Sequence, residues 1–200
     1  MSILVDRAIR DAGLVPLVEA RARGDMAFVL EQAALLDDAD LLALGALANR
    51  LRTDEVGDVV LIHANAGSLP LGSDAVDVRV PDARGNDGYG VLRSAAIARI
   101  LGPKGARVRL DWSLVGLEIA QVALGFGVSE LVGPLATKRG LPIAEDATKK
   151  VKGAGMVAVQ ALKRKELCAL IRQAGRVPVF ADGERPRATS EPGAPEPPHA

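Results

Sequence analysis

Three polar residues of this chain lie where an α/β protein commonly binds its ligands. His63 and Asn65 follow the short apolar run of residues 59–62, at the point where a predicted strand meets a loop. Asp111 ends another predicted strand, beside Trp112. Because α/β folds bind ligands at the carboxyl ends of their strands, we predict that His63, Asn65 and Asp111 contribute to a substrate-binding site.

Each of these residues also has a purely structural interpretation. His63 and Asn65 can satisfy backbone groups of the loop, and Asp111 can cap the helix that is predicted to begin near Ser113. The sequence leaves both interpretations open. It identifies no catalytic residue.

The other residues that could bind a metal or a cofactor do not form a recognisable site. The single cysteine, Cys168, lies between apolar neighbours in a predicted helix, where a free thiol commonly behaves as a small buried hydrophobic group. His63 and His199 have no nearby histidine or cysteine, so no metal site is predicted. The glycines of residues 84–90 do not form a GxGxxG pattern, and no GxxxxGK occurs, so neither phosphate-binding loop is predicted.

The composition excludes several classes of function. The chain has 25 basic and 25 acidic residues, so its net charge favours neither nucleic acid nor an anionic membrane, although residues 149–152 and 163–165 form short basic runs. Charged residues interrupt every apolar segment, so no membrane span is predicted. Asp6 and Arg7 lie where a secretion signal requires apolar residues, and we therefore expect a cytoplasmic protein.

The predicted elements indicate an α/β fold. After a helical amino-terminal segment, helices and strands alternate up to residue 180, which is typical of βα units with parallel strands. One predicted helix repeats Leu41, Leu44, Ala48 and Leu51 at helical spacing, with Asp37 or Asp38 as its cap. Residues 1–183 are predicted to form one domain, and residues 184–200 a disordered, proline-rich tail.

Several stretches resemble one enzyme family in the order in which the family has them. They are residues 40–49, residues 57–65, residues 91–99, residues 117–127 and, most specifically, residues 159–179. These stretches resemble aminofutalosine synthase, a radical S-adenosylmethionine (SAM) enzyme of menaquinone biosynthesis. The related cyclic dehypoxanthine futalosine synthase shares part of the pattern. The resemblance covers roughly two-thirds of the chain.

The resemblance stops where the family binds its cofactors. Its members use SAM and a [4Fe-4S] cluster held by three cysteines in a CxxxCxxC motif directly after the first barrel strand. Here residues 66–72 occupy that place and contain no cysteine. No cofactor is therefore predicted from this chain.

The family resemblance also implies a shortened barrel. A complete eight-stranded barrel takes about 250 residues, whereas this chain supplies four or five predicted strands. We therefore expect a partial (β/α) barrel related to the radical SAM barrel, in which the proline at position 178 places the last strand at an edge. Open edges favour pairing, so we expect a homo-oligomer or a complex with a full-length radical SAM enzyme.

Three functions follow as hypotheses. The first is an auxiliary or binding subunit of the futalosine pathway of menaquinone biosynthesis, without radical chemistry. The second is an enzyme with altered, non-radical chemistry in which His63 or Asp111 acts as acid or base. The third is a structural remnant that binds no ligand.

Overall fold

A five-stranded parallel sheet organises the mixed α/β fold. A computed structural model describes residues 3–64, 75–79, 88–136 and 162–181. Its strands are β1 (Val59–His63), β2 (Val76–Asp77), β3 (Val108–Asp111), β4 (Glu130–Val132), β5 (Leu135–Ala136), β6 (Leu162–Lys163) and β7 (Val177–Phe180). The main sheet has the order β2-β3-β4-β1-β7, and β5 pairs with β6 in a separate parallel ladder.

Helices occupy most of the remaining described residues. They are α1 (Ile3–Asp11), α2 (Val15–Arg23), α3 (Met26–Glu31), α4 (Ala33–Asp38), α5 (Leu41–Val56), α6 (Gly88–Leu101), α7 (Trp112–Val115), α8 (Leu117–Ala123) and α9 (Arg164–Gln173). Within the described residues, no helix combines the length and the apolar character needed to cross a membrane.

Two helix boundaries differ from the predicted ones. The cap of α5 is Asp40, whose side chain accepts a hydrogen bond from the amide of Ala43, whereas Asp37 and Asp38 belong to the preceding helix. The helix predicted from Ser113 is divided into α7 and α8 by Gly116, whose φ of 85° is a conformation that favours glycine.

The helices α6, α8 and α9 pack on the same face of the sheet. Alternate strand residues such as Val60, Ile62 and Leu110 form an apolar core with them. A second core joins the amino-terminal helices to α5 and α6. The opposite face of the sheet is therefore left for the intervening strand residues, several of which are charged.

Buried ion pairs connect the amino-terminal helix α2 with α5 and α6. Glu55 of α5 accepts two hydrogen bonds from Arg21 of α2, at 2.9 and 3.0 Å, and a third from the amide of Gly105. Arg99 of α6 lies 3.9 Å from Glu55 and donates to the carbonyl of Gly127. Burial lowers the pKa of Arg99 to about 10, so it remains charged near neutral pH.

The outer edge of β7 carries the proline of that strand. The amides of Val177 and Ala181 donate to the carbonyls of Asp58 and Ile62, so the alternate residues Pro178 and Phe180 present their backbone groups away from the sheet. In the described sheet β7 pairs only with β1, as the edge prediction requires. The missing N–H of Pro178 thus falls on the unpaired side of the strand.

The alternation of helices with parallel strands is confirmed, but the partial barrel is not. In a barrel each strand pairs with the next one along the chain. Here β1 lies between β4 and β7, although the helices that pack on the sheet lie on one face, as in a barrel. The predicted tail of residues 184–200 lies outside the described residues, and the domain boundary at 183 stays a prediction.

Candidate functional site

The face of the sheet opposite the helices presents a row of charged residues. Strand pairing aligns Asp77, Arg109, Glu130, Leu61 and Val179 in one row across all five strands. Side chains in such a row point to the same face, because successive residues of a strand alternate. The sheet therefore brings residues distant in sequence into one polar surface, which we call the polar face.

Glu130 is the centre of the polar face. Its Oε1 accepts a hydrogen bond of 2.6 Å from Nε of Arg109 and lies 3.0 Å from Nε2 of His63. Arg109 also lies 3.4 Å from the carboxylate of Asp77. Glu130 is 2% exposed, His63 4% and Arg109 7%. Such burial of charged groups requires partners, and Arg109 and Glu130 supply them to each other.

His63 extends the polar face toward the carboxyl end of β1. The contact with Glu130 has the distance of a hydrogen bond but not its direction, so we treat it as an electrostatic contact. Burial lowers the pKa of His63, and the nearby charges of Arg109 and Arg107 lower it further, against the opposing effect of Glu130. The imidazole is consequently neutral near pH 7.

This arrangement can accept a proton or a hydrogen bond. A neutral imidazole has one protonated and one unprotonated nitrogen, and Nε2 of His63 faces a carboxylate. A histidine flanked by a carboxylate is a recurrent acid–base unit in enzymes, in which the carboxylate orients the ring and stabilises its charged form. In His63 the carboxylate is a nearby charge rather than a hydrogen-bonded partner, so the neutral ring can act as a base or contact a ligand but is not oriented by Glu130.

Asp111 shares the rim with His63 but directs its side chain elsewhere. The next row on the polar face, two residues further along each strand, aligns Asp111, Val132 and His63 on three adjacent strands. The carboxylate of Asp111 accepts hydrogen bonds from the amide of Ser113, at 2.8 Å, and from its hydroxyl, at 2.6 Å. Asp111 thus caps α7, which is the structural alternative that the sequence left open.

The third predicted site residue, Asn65, lies outside the described residues. His63 and Asp111 are therefore the predicted site residues whose positions can be compared. The structure adds Glu130 and Arg109 to His63 and places Asp111 in a helix cap.

The residues present do not fit an iron–sulfur cluster. The sequence has one cysteine, Cys168, whereas the cluster of the resembled family needs three thiolates. Cys168 is buried in α9 among apolar side chains, and burial raises the pKa of its thiol. No group of three or more histidine, cysteine or acidic residues that could hold a metal ion occurs in the described part of the chain.

The basic run of residues 163–165 has local structural roles. Lys163 precedes α9, where its amide donates to Glu166, and the guanidinium of Arg164 lies 4.4 Å from the centre of the Phe180 ring. These contacts offer no specific support for nucleic-acid binding. The run of residues 149–152 lies outside the described residues.

Sequence reasoning missed Glu130 and Arg109. The available signal was the alternation of Arg107, Arg109 and Asp111, since strands of a parallel sheet are usually apolar on both faces. Glu130 gave a similar signal as an acidic residue inside a short apolar strand. The pairing between them depends on the register of β3 and β4, which the sequence does not reveal.

Two curated proteins match part of the chain. An aminodeoxyfutalosine synthase of Thermus thermophilus is 33% identical over 91 residues, which are 46% of this chain and 22% of that protein. A 5-amino-6-(D-ribitylamino)uracil--L-tyrosine 4-hydroxyphenyl transferase of Archaeoglobus fulgidus is 35% identical over 101 residues, which are 50% of this chain and 26% of that protein.

Both matches cover only a small part of the curated relative. No protein-family model matches the chain. The matched region spans about a quarter of each curated relative, so the activities of the whole proteins do not transfer with it. The partial matches support a distant relation of this chain to radical SAM enzymes.

Proposed function

We propose that this chain is a cluster-less relative of radical SAM enzymes that acts as an auxiliary, ligand-binding subunit in menaquinone biosynthesis by the futalosine pathway. The observation that carries the binding role is the buried polar face of His63, Glu130 and Arg109. Burying polar groups costs free energy, and their concentration on one face favours a binding surface over a simple core. The single cysteine argues against radical chemistry by this chain alone.

The pathway assignment rests on the partial match to an aminodeoxyfutalosine synthase. A subunit that lacks the cluster ligands but resembles such an enzyme is suited to associate with an intact copy of it. We therefore propose a complex with a full-length radical SAM enzyme, with a homo-oligomer as the alternative assembly.

Native mass spectrometry of a tagged chain, purified anaerobically from its own host, tests this proposal. We expect a complex with a full-length radical SAM enzyme and stoichiometric iron on the same sample. Deletion of the gene should lower the menaquinone content of the cells, and the wild-type gene should restore it. An iron-free assembly of this chain alone, together with unchanged menaquinone, would contradict the auxiliary role.

The pair His63–Glu130 favours a second candidate function, an enzyme with non-radical acid–base chemistry. Nε2 of His63 lies 3.0 Å from the carboxylate, and the buried neutral ring retains one unprotonated nitrogen that can accept a proton. Turnover of an intermediate of the futalosine pathway by the purified chain, abolished in His63→Ala and retained in Asp111→Asn, would favour this function. Equal turnover in the wild type and His63→Ala would exclude His63 as the base.

A further inference from the structure

Three buried nitrogen atoms associated with the polar face lack hydrogen-bond partners. Among the residues that the structure describes, both ring nitrogens of His63 and Nη1 of Arg107 are buried without one, although Nε2 of His63 has its electrostatic contact with Glu130. Buried polar atoms are nearly always hydrogen-bonded, because leaving one unsatisfied costs about 1–3 kcal/mol. Two residues of one polar face with such atoms indicate a ligand that supplies the missing partners.

Arg107 belongs to the same face as Arg109. The two arginines alternate with Val108 along β3 and the residue before it, and the carbonyl of Arg107 continues the ladder by accepting from the amide of Val76 at 2.7 Å. The charge of Arg107 also acts on His63, which lies two strands away across β4. A ligand that touches both residues would lie over β4.

The acidic groups of this row already interact with Arg109. Glu130 accepts its 2.6 Å hydrogen bond, and Asp77 lies 3.4 Å from its Nη1. Nη1 of Arg107 therefore receives no hydrogen-bond partner from these carboxylates. Guanidinium groups bind carboxylates and phosphates through parallel N–H donors, so an oxyanion is the ligand group that suits Arg107.

The tautomer of His63 determines the second ligand group. Nε2 lies 3.0 Å from the Glu130 oxygen, off the direction of a hydrogen bond, and the negative charge of that oxygen favours a proton on Nε2 over a lone pair. In that tautomer Nδ1 carries a lone pair. Nδ1 accepts a hydrogen bond, and a ligand must supply the donor.

We infer that the polar face binds a small organic anion that also carries a hydroxyl group, with its oxyanion on Arg107 and its hydroxyl donating to Nδ1 of His63. This inference rests on the proposed binding role and gives the ligand class for that role. The oxyanion is either a carboxylate or a phosphate, because arginine binds both.

Paired probes separate the two ligand groups. Titrations followed by ¹H–¹⁵N NMR would compare lactate with propionate, and glycerol 3-phosphate with methyl phosphate, on the full chain. We expect the hydroxylated member of at least one pair to bind about tenfold more tightly, since its hydroxyl completes a buried acceptor. Whichever pair binds identifies the oxyanion as carboxylate or phosphate.

Substitutions assign the contacts to residues. Arg107→Gln should weaken both members of the binding pair at least tenfold, and His63→Phe should abolish the preference for the hydroxylated member. Arg10→Gln, which changes an exposed arginine on α1, should leave all affinities unchanged. Long-range ¹H–¹⁵N spectra of the unliganded wild type provide a test without any variant, and we expect the proton of His63 on Nε2.

The outcomes separate this inference from the proposed function. Affinities that Arg107→Gln and His63→Phe do not change, an Nδ1-protonated ring, or no binding of any probe would each overturn the inference. The complex with a radical SAM enzyme is measured independently of these probes. Its presence would keep the auxiliary role even where the ligand class is wrong, and its absence together with unchanged menaquinone would contradict that role even where the ligand binds.

Discussion

His63 gives the folded state a defined response to acid. Its folded-state pKa is below the ordinary value of 6.5 because the ring is buried. Between 6.5 and the lower folded-state pKa, the unfolded chain binds more protons than the folded chain, so stability rises with pH and falls on acidification. The slope for one proton is at most about 1.4 kcal/mol per pH unit.

Urea unfolding at pH values from 7.5 to 5 would test this response. We expect the wild type to lose more stability below pH 6.5 than His63→Gln, which cannot take up the proton. The carboxylates that do not contact His63 are common to both proteins and cancel in the comparison. Parallel stability curves for the two proteins would show that His63 is not held in its neutral form by the fold.

The ion pair of Arg109 and Glu130 should show strong coupling. Arg109→Leu leaves the carboxylate of Glu130 buried without its main partner, and we expect a loss of about 3–5 kcal/mol of unfolding free energy. The double variant Arg109→Leu/Glu130→Leu should be clearly more stable than Arg109→Leu, because it buries no unpaired charge. Additive losses in a double-mutant cycle would contradict the pairing.

The sequence predicted the position of His63 but not its partners. A buried apolar run followed by a loop indicates where a strand ends, and this signal is local. The contacts of His63 with Glu130 and of Glu130 with Arg109 join three strands that are far apart in the chain. Their formation depends on strand register, which a single sequence does not contain.

The helix α7 depends on Asp111 at its amino end. Asp111→Ala removes the acceptor for the Ser113 amide, and we expect a loss of about 1 kcal/mol of unfolding free energy. Asp111→Asn keeps a good cap and should remain close to the wild type in chemical denaturation. If Asp111→Asn lowers the ligand affinity while the stability is unchanged, Asp111 contributes to ligand binding as well as to the helix cap.

The start of α6 shows how packing overrides a local turn signal. The glycines around Tyr89 indicate a turn, and the periodic pattern becomes clear only from Val91, yet the helix begins at Gly88. A side chain at Gly88 would collide with Ile119 of α8, so glycine allows the two helices to approach closely. This reason is tertiary, and it is absent from the local sequence.

Glu55 controls the attachment of the amino-terminal helices to the rest of the molecule. Glu55→Ala would leave Arg21 buried without its carboxylate and remove a charge near Arg99, so we expect a loss of about 3–5 kcal/mol of unfolding free energy. Glu19→Ala, which breaks an exposed pair with Arg23, should cost less than about 0.5 kcal/mol. Equal losses in the two variants would show that the buried pair stabilises the fold no more than the exposed pair does.

At the scale of the whole molecule, composition and alternation predicted the parallel α/β class but not the order of its strands. The position of β1 between β4 and β7 follows from contacts across most of the chain. Local patterns indicate that strands exist and where they end. They do not indicate which distant strands become neighbours, so a partial barrel and another parallel sheet are equally compatible with them.

The proline of β7 sets a limit on growth of the sheet by strand addition. A further strand laid along the outside of β7 would find no amide donor at Pro178, so a regular ladder cannot form there. The outer edge of β7 is therefore a poor template for continued strand addition by further copies of this chain. Proline at this edge disfavours fibril-like assembly, and we expect a partner that binds along β7 to do so mainly through side chains.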